Sequence, residues 1–90
     1  MHTLMLTFTA LAILTRQPTI TGRVVDAGGR PLANADVRAA GREEFARTDD
    51  SGRFVFPNIP IPARLRVRAI GYTPIEVVVK DERPLTIRLA

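Results

Sequence analysis

The chain has 90 residues, 46% of them hydrophobic, with thirteen basic and nine acidic side chains and a net charge of +4. That length bounds the answer to one small domain, and the apolar fraction excludes a disordered composition. There is no cysteine and His2 is the single histidine, so residues 18–90 can build neither a disulfide or histidine–metal staple nor a Ser-His-Asp or Cys-His site.

The first segment, Leu4 to Leu14, reads LMLTFTALAIL. It is too short to span a bilayer, which takes about twenty apolar residues, but suits the core of an export signal. Residues 1–17 are therefore expected to be a leader, with an apolar arm or first strand packed on the domain as the competing reading. The short MHT before the run has no basic residue, and Ala10 and Ala12 lie inside the run.

From residue 18 the pattern alternates between short extended runs and turns, with no sustained helical period. Strands are expected at 19–26, 35–40, 44–49, 53–57, 64–70, 74–80 and 85–89, an all-β chain of seven strands suited to a sandwich. The first corner, GRVVDAGGRPL, contains Gly22, Asp26, Gly29 and Pro31, with glycine for left-handed backbone and proline to fix φ. In TDDSGRF, Asp50, Ser51 and Gly52 supply a turn, and Phe54 and Phe56 share one strand face. A left-handed Gly52 should tolerate asparagine better than valine. IPIP at Ile59 to Pro62 cannot be a central strand, because two amide donors are missing, and is expected to cross between sheets. Gly71 and Tyr72 mark a corner at which the tyrosine ring packs inward and its hydroxyl bonds to backbone.

The candidate binding residues are Arg64, Arg66 and Arg68, which alternate with Leu65, Val67 and Ala69 and so project from one strand face about 7 Å apart. Three like charges in a row repel. Either cross-strand acids such as Glu76 neutralise them, or they form a site for an anionic partner. The carboxylates cluster beside turns. Asp26 with Asp49, Asp50 and Ser51 would approach the roughly six to eight oxygens of a calcium site only if the two loops converged, and adjacent acids on turns give no glycosidase spacing. No cofactor is expected. Nucleic-acid binding is not expected either, because the arginines are not seen to be interleaved with exposed aromatics.

Gly22, Val24, Asp26, Gly29, Pro31, Leu32, Ala35 and Val37, then Thr48, Asp49, Gly52 and Phe54, then AIGYTP at Ala69 to Pro74, together carry a resemblance. From about Thr19 to Ala90 the chain resembles a carboxypeptidase regulatory-like domain. Where that family usually has glycine before the alanine, this chain has Asn34, the residue next most tolerant of left-handed backbone. The resemblance implies a transthyretin-like Greek-key β-sandwich. It further implies a non-enzymatic accessory module, found beside metallocarboxypeptidases and at the front of TonB-dependent outer-membrane receptors. Residues 18–90 are thus expected to be an exported domain of the periplasm, outer membrane or cell surface, partnered by a protein or an adjoining domain, with no membrane span. The chain is also similar to CnaB-type adhesin stalks; Arg23 stands where their crosslinking lysine would be and LTIRLA offers no amide or acid, so a structural stalk without the crosslink is the alternative reading. Transthyretin-like hydroxyisourate hydrolases use histidines that residues 18–90 lack.

Overall fold

The computed structural model describes residues 18–90; the expected leader at 1–17 lies outside the described residues. Seven strands follow in order: β1 (Ile20–Val25), β2 (Asp36–Ala39), β3 (Phe45–Arg47), β4 (Arg53–Phe56), β5 (Ala63–Arg68), β6 (Ile75–Val79) and β7 (Leu85–Arg88). They form a three-stranded sheet in the order β4-β1-β7 and a four-stranded sheet in the order β3-β2-β5-β6. The hairpins β2–β3 and β5–β6 stay within one sheet, and every other connection passes to the opposite one. All neighbours are antiparallel except β1 and β7, which run parallel with Gly22 opposite Leu85 and Val25 opposite Arg88.

The period-2 pattern of the sequence produces this sandwich directly. In β5, Ala63, Leu65 and Val67 are buried while Arg64, Arg66 and Arg68 are exposed, and in β4 Phe54 and Phe56 point inward while Arg53 and Val55 point out. These inner faces meet Ile20, Val24, Val37, Val79 and Ile87 in one contiguous core, so each strand contributes its alternate residues to a single apolar layer. Burying a valine, leucine or phenylalanine side chain contributes about 1.5–3 kcal/mol. Gly22 completes the fit. It stands opposite Phe54, and a Cβ there would lie 2.9 Å from the Phe54 ring and 2.7 Å from the Leu85 carbonyl oxygen.

Most boundaries lie within one residue of the expected ones, and two strand ends fall two residues short for local reasons. The strand expected at 64–70 stops at Arg68, because Tyr72 N–H donates to Ala69 O at 3.1 Å and closes a turn that carries Ile70 out to full exposure. That expected at 44–49 ends at Arg47, because Thr48 turns inward. The Thr48 hydroxyl accepts a bond from Ala35 N–H at 2.8 Å and donates to Leu32 O at 2.6 Å. Asn34 has φ 60°, as its place in the pattern led us to expect. Tyr72 is part-buried against the core, but the corner is closed by main chain, with no bond from its hydroxyl to a described residue. The segment with IPIP runs between β4 in one sheet and β5 in the other.

The expected tolerance of Gly52 is overturned. Its φ is +76°, as the turn requires, but a Cβ would lie 2.6 Å from the Val24 carbonyl oxygen and 3.0 Å from Pro31 Cβ. Left-handed freedom is therefore only half of the requirement, and asparagine meets the same backbone as valine.

Candidate functional site

The outer face of the four-stranded sheet gathers the chain's arginines. Because β2, β3, β5 and β6 are in register, their outward residues form rows across the strands. One row is Arg47, Asp36 and Arg68; the next is Phe45, Arg38, Arg66 and Glu76; in a third, Arg64 stands opposite Val78. Five arginines thus share a face with two acids. Of the thirteen basic side chains Arg16 lies outside the described residues, and the remaining seven basic and seven acidic groups of residues 18–90 sit elsewhere and cancel in number. The net side-chain charge of the described domain is therefore that of this face.

Its internal pairing is uneven. Asp36 Oδ2 accepts from Arg38 Nε at 2.9 Å and from Arg68 Nη2 at 3.2 Å. Burial works against the Asp36 charge, yet these two guanidinium groups prevail and hold its carboxyl below the ordinary aspartate value. Arg68 uses one nitrogen in this bond, so most of its donor fork stays open. Glu76, the acid expected to neutralise the row, stands opposite Arg66 but forms no ion pair with it; among the described residues neither Arg64 nor Arg66 has a carboxylate partner. Neutralisation falls to Asp36 and reaches only one end of the row. Arg38 and Arg66 face each other as like charges across β2 and β5, which costs stability.

Phe45 lies at the rim, half-exposed, with Arg38 Cζ 4.6 Å and Arg47 Cζ 5.5 Å from its ring centroid. Such cation–π contacts contribute about 0.5–1 kcal/mol at exposed sites. Arg38, Arg47, Asp36 and Phe45 were not singled out from the sequence. The signal was present in the alternation of Asp36-Val37-Arg38 and Phe45-Ala46-Arg47, the same period that marks β5. Beside the end row lies a cleft of about 440 Å³, lined by Arg47 and Arg68 together with Ile70 and Pro74.

The turn carboxylates do something else. Asp26 Oδ1 accepts from the N–H groups of Gly28 and Arg30, each at 2.9 Å, and Asp49 Oδ1 accepts from those of Ser51 and Arg53, also at 2.9 Å. Both loops use one device, an aspartate that closes its own turn by bonding the second and fourth amides after it. The bond from Arg53 N–H is the largest influence holding the Asp49 carboxyl below its ordinary value. Asp49, not Asp50, is thus the anchor of the second turn. No group of three or more His, Cys, Asp or Glu side chains is assembled among the described residues; the Asp26 and Asp49 carboxylates are engaged by the amides of their own turns. Gly22, Gly29, Pro31, Gly52, Gly71 and Phe54 all belong to corners or core, away from the arginine face.

No curated protein gives a significant match to the chain. The family model described as carboxypeptidase regulatory-like domain matches residues 19–90, the span that contains all seven strands and both aspartate turns. With four-fifths of its length so matched, the chain belongs to the carboxypeptidase regulatory-like domain family.

Proposed function

We propose that the chain is a non-catalytic interaction module of the cell envelope, which docks an acidic partner through the outer face of β3-β2-β5-β6 and holds it at a set distance from whatever adjoins the domain. Domains of this family are regulatory or accessory β-sandwiches. The observation that carries the reading is the concentration of five arginines on that face, two of them facing each other across strands and three, Arg47, Arg64 and Arg66, without a carboxylate partner among the described residues. A face serving only to cover the core has no use for repulsion of that kind. An incoming carboxylate relieves it, and arginine meets a carboxylate with two parallel hydrogen bonds. Attraction of this type sets orientation and association rate, and weakens as salt rises. The apolar run from Leu4 to Leu14 supports export, and the TonB-dependent receptors that carry such domains make the front of an outer-membrane receptor the natural setting.

Cell fractionation of the full chain with intact-mass measurement tests the reading. The expected result is a shortened protein in the envelope fraction, released by high salt, with Arg66→Glu released at lower salt than the wild type. Full-length protein in the cytosol, or envelope association indifferent to both salt and Arg66→Glu, would overturn it.

A further inference from the structure

Arg64, Arg66 and Arg68 point to the same side of β5, and just past the strand end Ile70 stands out from the turn that follows. Two residues of extended chain advance about 7 Å. An acidic segment that is itself extended presents alternate carboxylates at that same pitch. Arg64 and Arg66 have open forks among the described residues, and Arg68 has given Asp36 only one nitrogen. After three charged steps the strip changes character. Ile70 is fully exposed and, with Pro74, adds apolar surface to the cleft that Arg47 and Arg68 also line.

We infer that the face takes an extended acidic peptide segment of a partner protein, with carboxylates on alternate residues against Arg64, Arg66 and Arg68 and an apolar side chain in the cleft beside Ile70. The inference deepens the docking reading above and rests on it. A lipid surface fits less well. Phe45 lies beneath the guanidinium groups of Arg38 and Arg47, so an approaching surface meets charge first, and of the exposed apolar residues only Ile70 stands wholly clear. Among the described residues Phe45 is the one aromatic on this face and already carries two guanidinium contacts, so the face offers no second ring for stacking successive nucleic-acid bases.

The test titrates the full chain with two labelled seven-residue peptides of one composition, followed by fluorescence anisotropy. In one, glutamates at the first, third and fifth positions alternate with threonine and leucine is last; in the other the three glutamates are consecutive. Each is made in both chain directions. The alternating peptide should bind about tenfold more tightly, which corresponds to about 1.4 kcal/mol. Arg64→Gln and Arg66→Gln should each remove most of that preference, Ile70→Ser should weaken the alternating peptide about threefold by the loss of a small apolar contact, and Arg23→Gln on the opposite sheet should leave it unchanged. Equal binding of the two peptides, or equal effects of Arg23→Gln and Arg66→Gln, overturns the alternate-carboxylate inference while leaving an unselective basic face. Tighter binding to phosphatidylglycerol vesicles than to either peptide overturns it in favour of a membrane. Absence of salt-sensitive binding to every probe removes the docking reading itself.

Discussion

Replacing Gly52 by alanine should be among the most destabilising small changes in the domain. The cost has two components. A non-glycine residue at φ +76° loses about 1–2 kcal/mol to left-handed sterics. The larger component is contact. The added Cβ would sit 2.6 Å from the Val24 carbonyl oxygen, whose position is fixed because it accepts from Leu32 N–H at 2.9 Å, while Val24 N–H donates to Gly52 O at 2.8 Å. The second turn must retreat by several tenths of an ångström, stretching one or both bonds that join it to the end of β1. Overpacking of that kind costs about 1–3 kcal/mol, and a lost main-chain bond about 1 kcal/mol more. The sum, about 3–6 kcal/mol, is a large share of the 5–15 kcal/mol typical of a folded domain. Gly71 supplies the control, because its φ is +90° but nothing lies within 4 Å of its Cβ position, so Gly71→Ala should cost about 1–2 kcal/mol. Urea denaturation followed by circular dichroism on both variants, with Gly52→Asn beside them, measures the difference. Should Gly52→Ala and Gly71→Ala unfold within about 0.5 kcal/mol of each other, the argument from close approach is wrong; should Gly52→Asn match the wild type, it is wrong more severely.

Phe54→Ala should cost about 3–5 kcal/mol, towards the upper end because the ring also fills the space above Gly22; an unchanged denaturation midpoint would show that this face is not core. Thr48→Val keeps the shape but strands Ala35 N–H and Leu32 O, so it should cost about 2–4 kcal/mol, while Thr48→Ser retains both bonds and costs less. Equal losses for the two would assign the role of Thr48 to packing. Asp36 contributes stability as a carboxylate: its folded value is lowered, so the contribution is present above the unfolded value of about 3.9 and is lost as pH falls through the folded one. The stability gap between wild type and Asp36→Asn should therefore be wide near neutrality and close on acidification below about pH 4, and a gap independent of pH would refute the ion-pair account.

Much of the fold could be read from period and punctuation. Strict alternation in 64–68 and 53–56 places four large side chains inside and leaves the arginines outside, and proline at positions 60 and 62 marks the crossing between sheets. What could not be read is pairing across strands. Arg66 meets Arg38 only through the register of two strands far apart in sequence, and although Glu76 on the adjoining strand does stand opposite it, nothing local tells which acid will reach which arginine. Asp36 prevailed over Glu76 because it lies between Arg47 and Arg68 in its row and shares its strand with Arg38. The same limit hid the approach of Gly52 to Val24, which joins turns separated by more than twenty residues. Local chemistry identified the turn, and tertiary contact decided which side chain it can bear. Within that turn, Asp49 and Asp50 are chemically alike, and only the position of the second and fourth following amides distinguishes the anchor from its exposed neighbour.

The parallel pairing of β1 with β7 has a mechanical consequence. The chain enters β1 near Pro18, whose carbonyl accepts from Ile59 N–H, and leaves β7 at the opposite end of the sandwich, where Ala90 O accepts from Thr73 N–H. A pull applied through these two points acts along the ladder, so the hydrogen bonds between β1 and β7 are loaded together in shear. In a hairpin pulled from its open end they would instead break singly, in succession. Leu89 N–H, donating to Val25 O at 2.8 Å, extends the ladder past the last residue of β7. Arg88 adds a strap, with its Nη1 on Ala27 O at 3.0 Å. A domain clamped in this way transmits tension between its two ends as a stiff link, and its core is not exposed until the ladder yields as a whole.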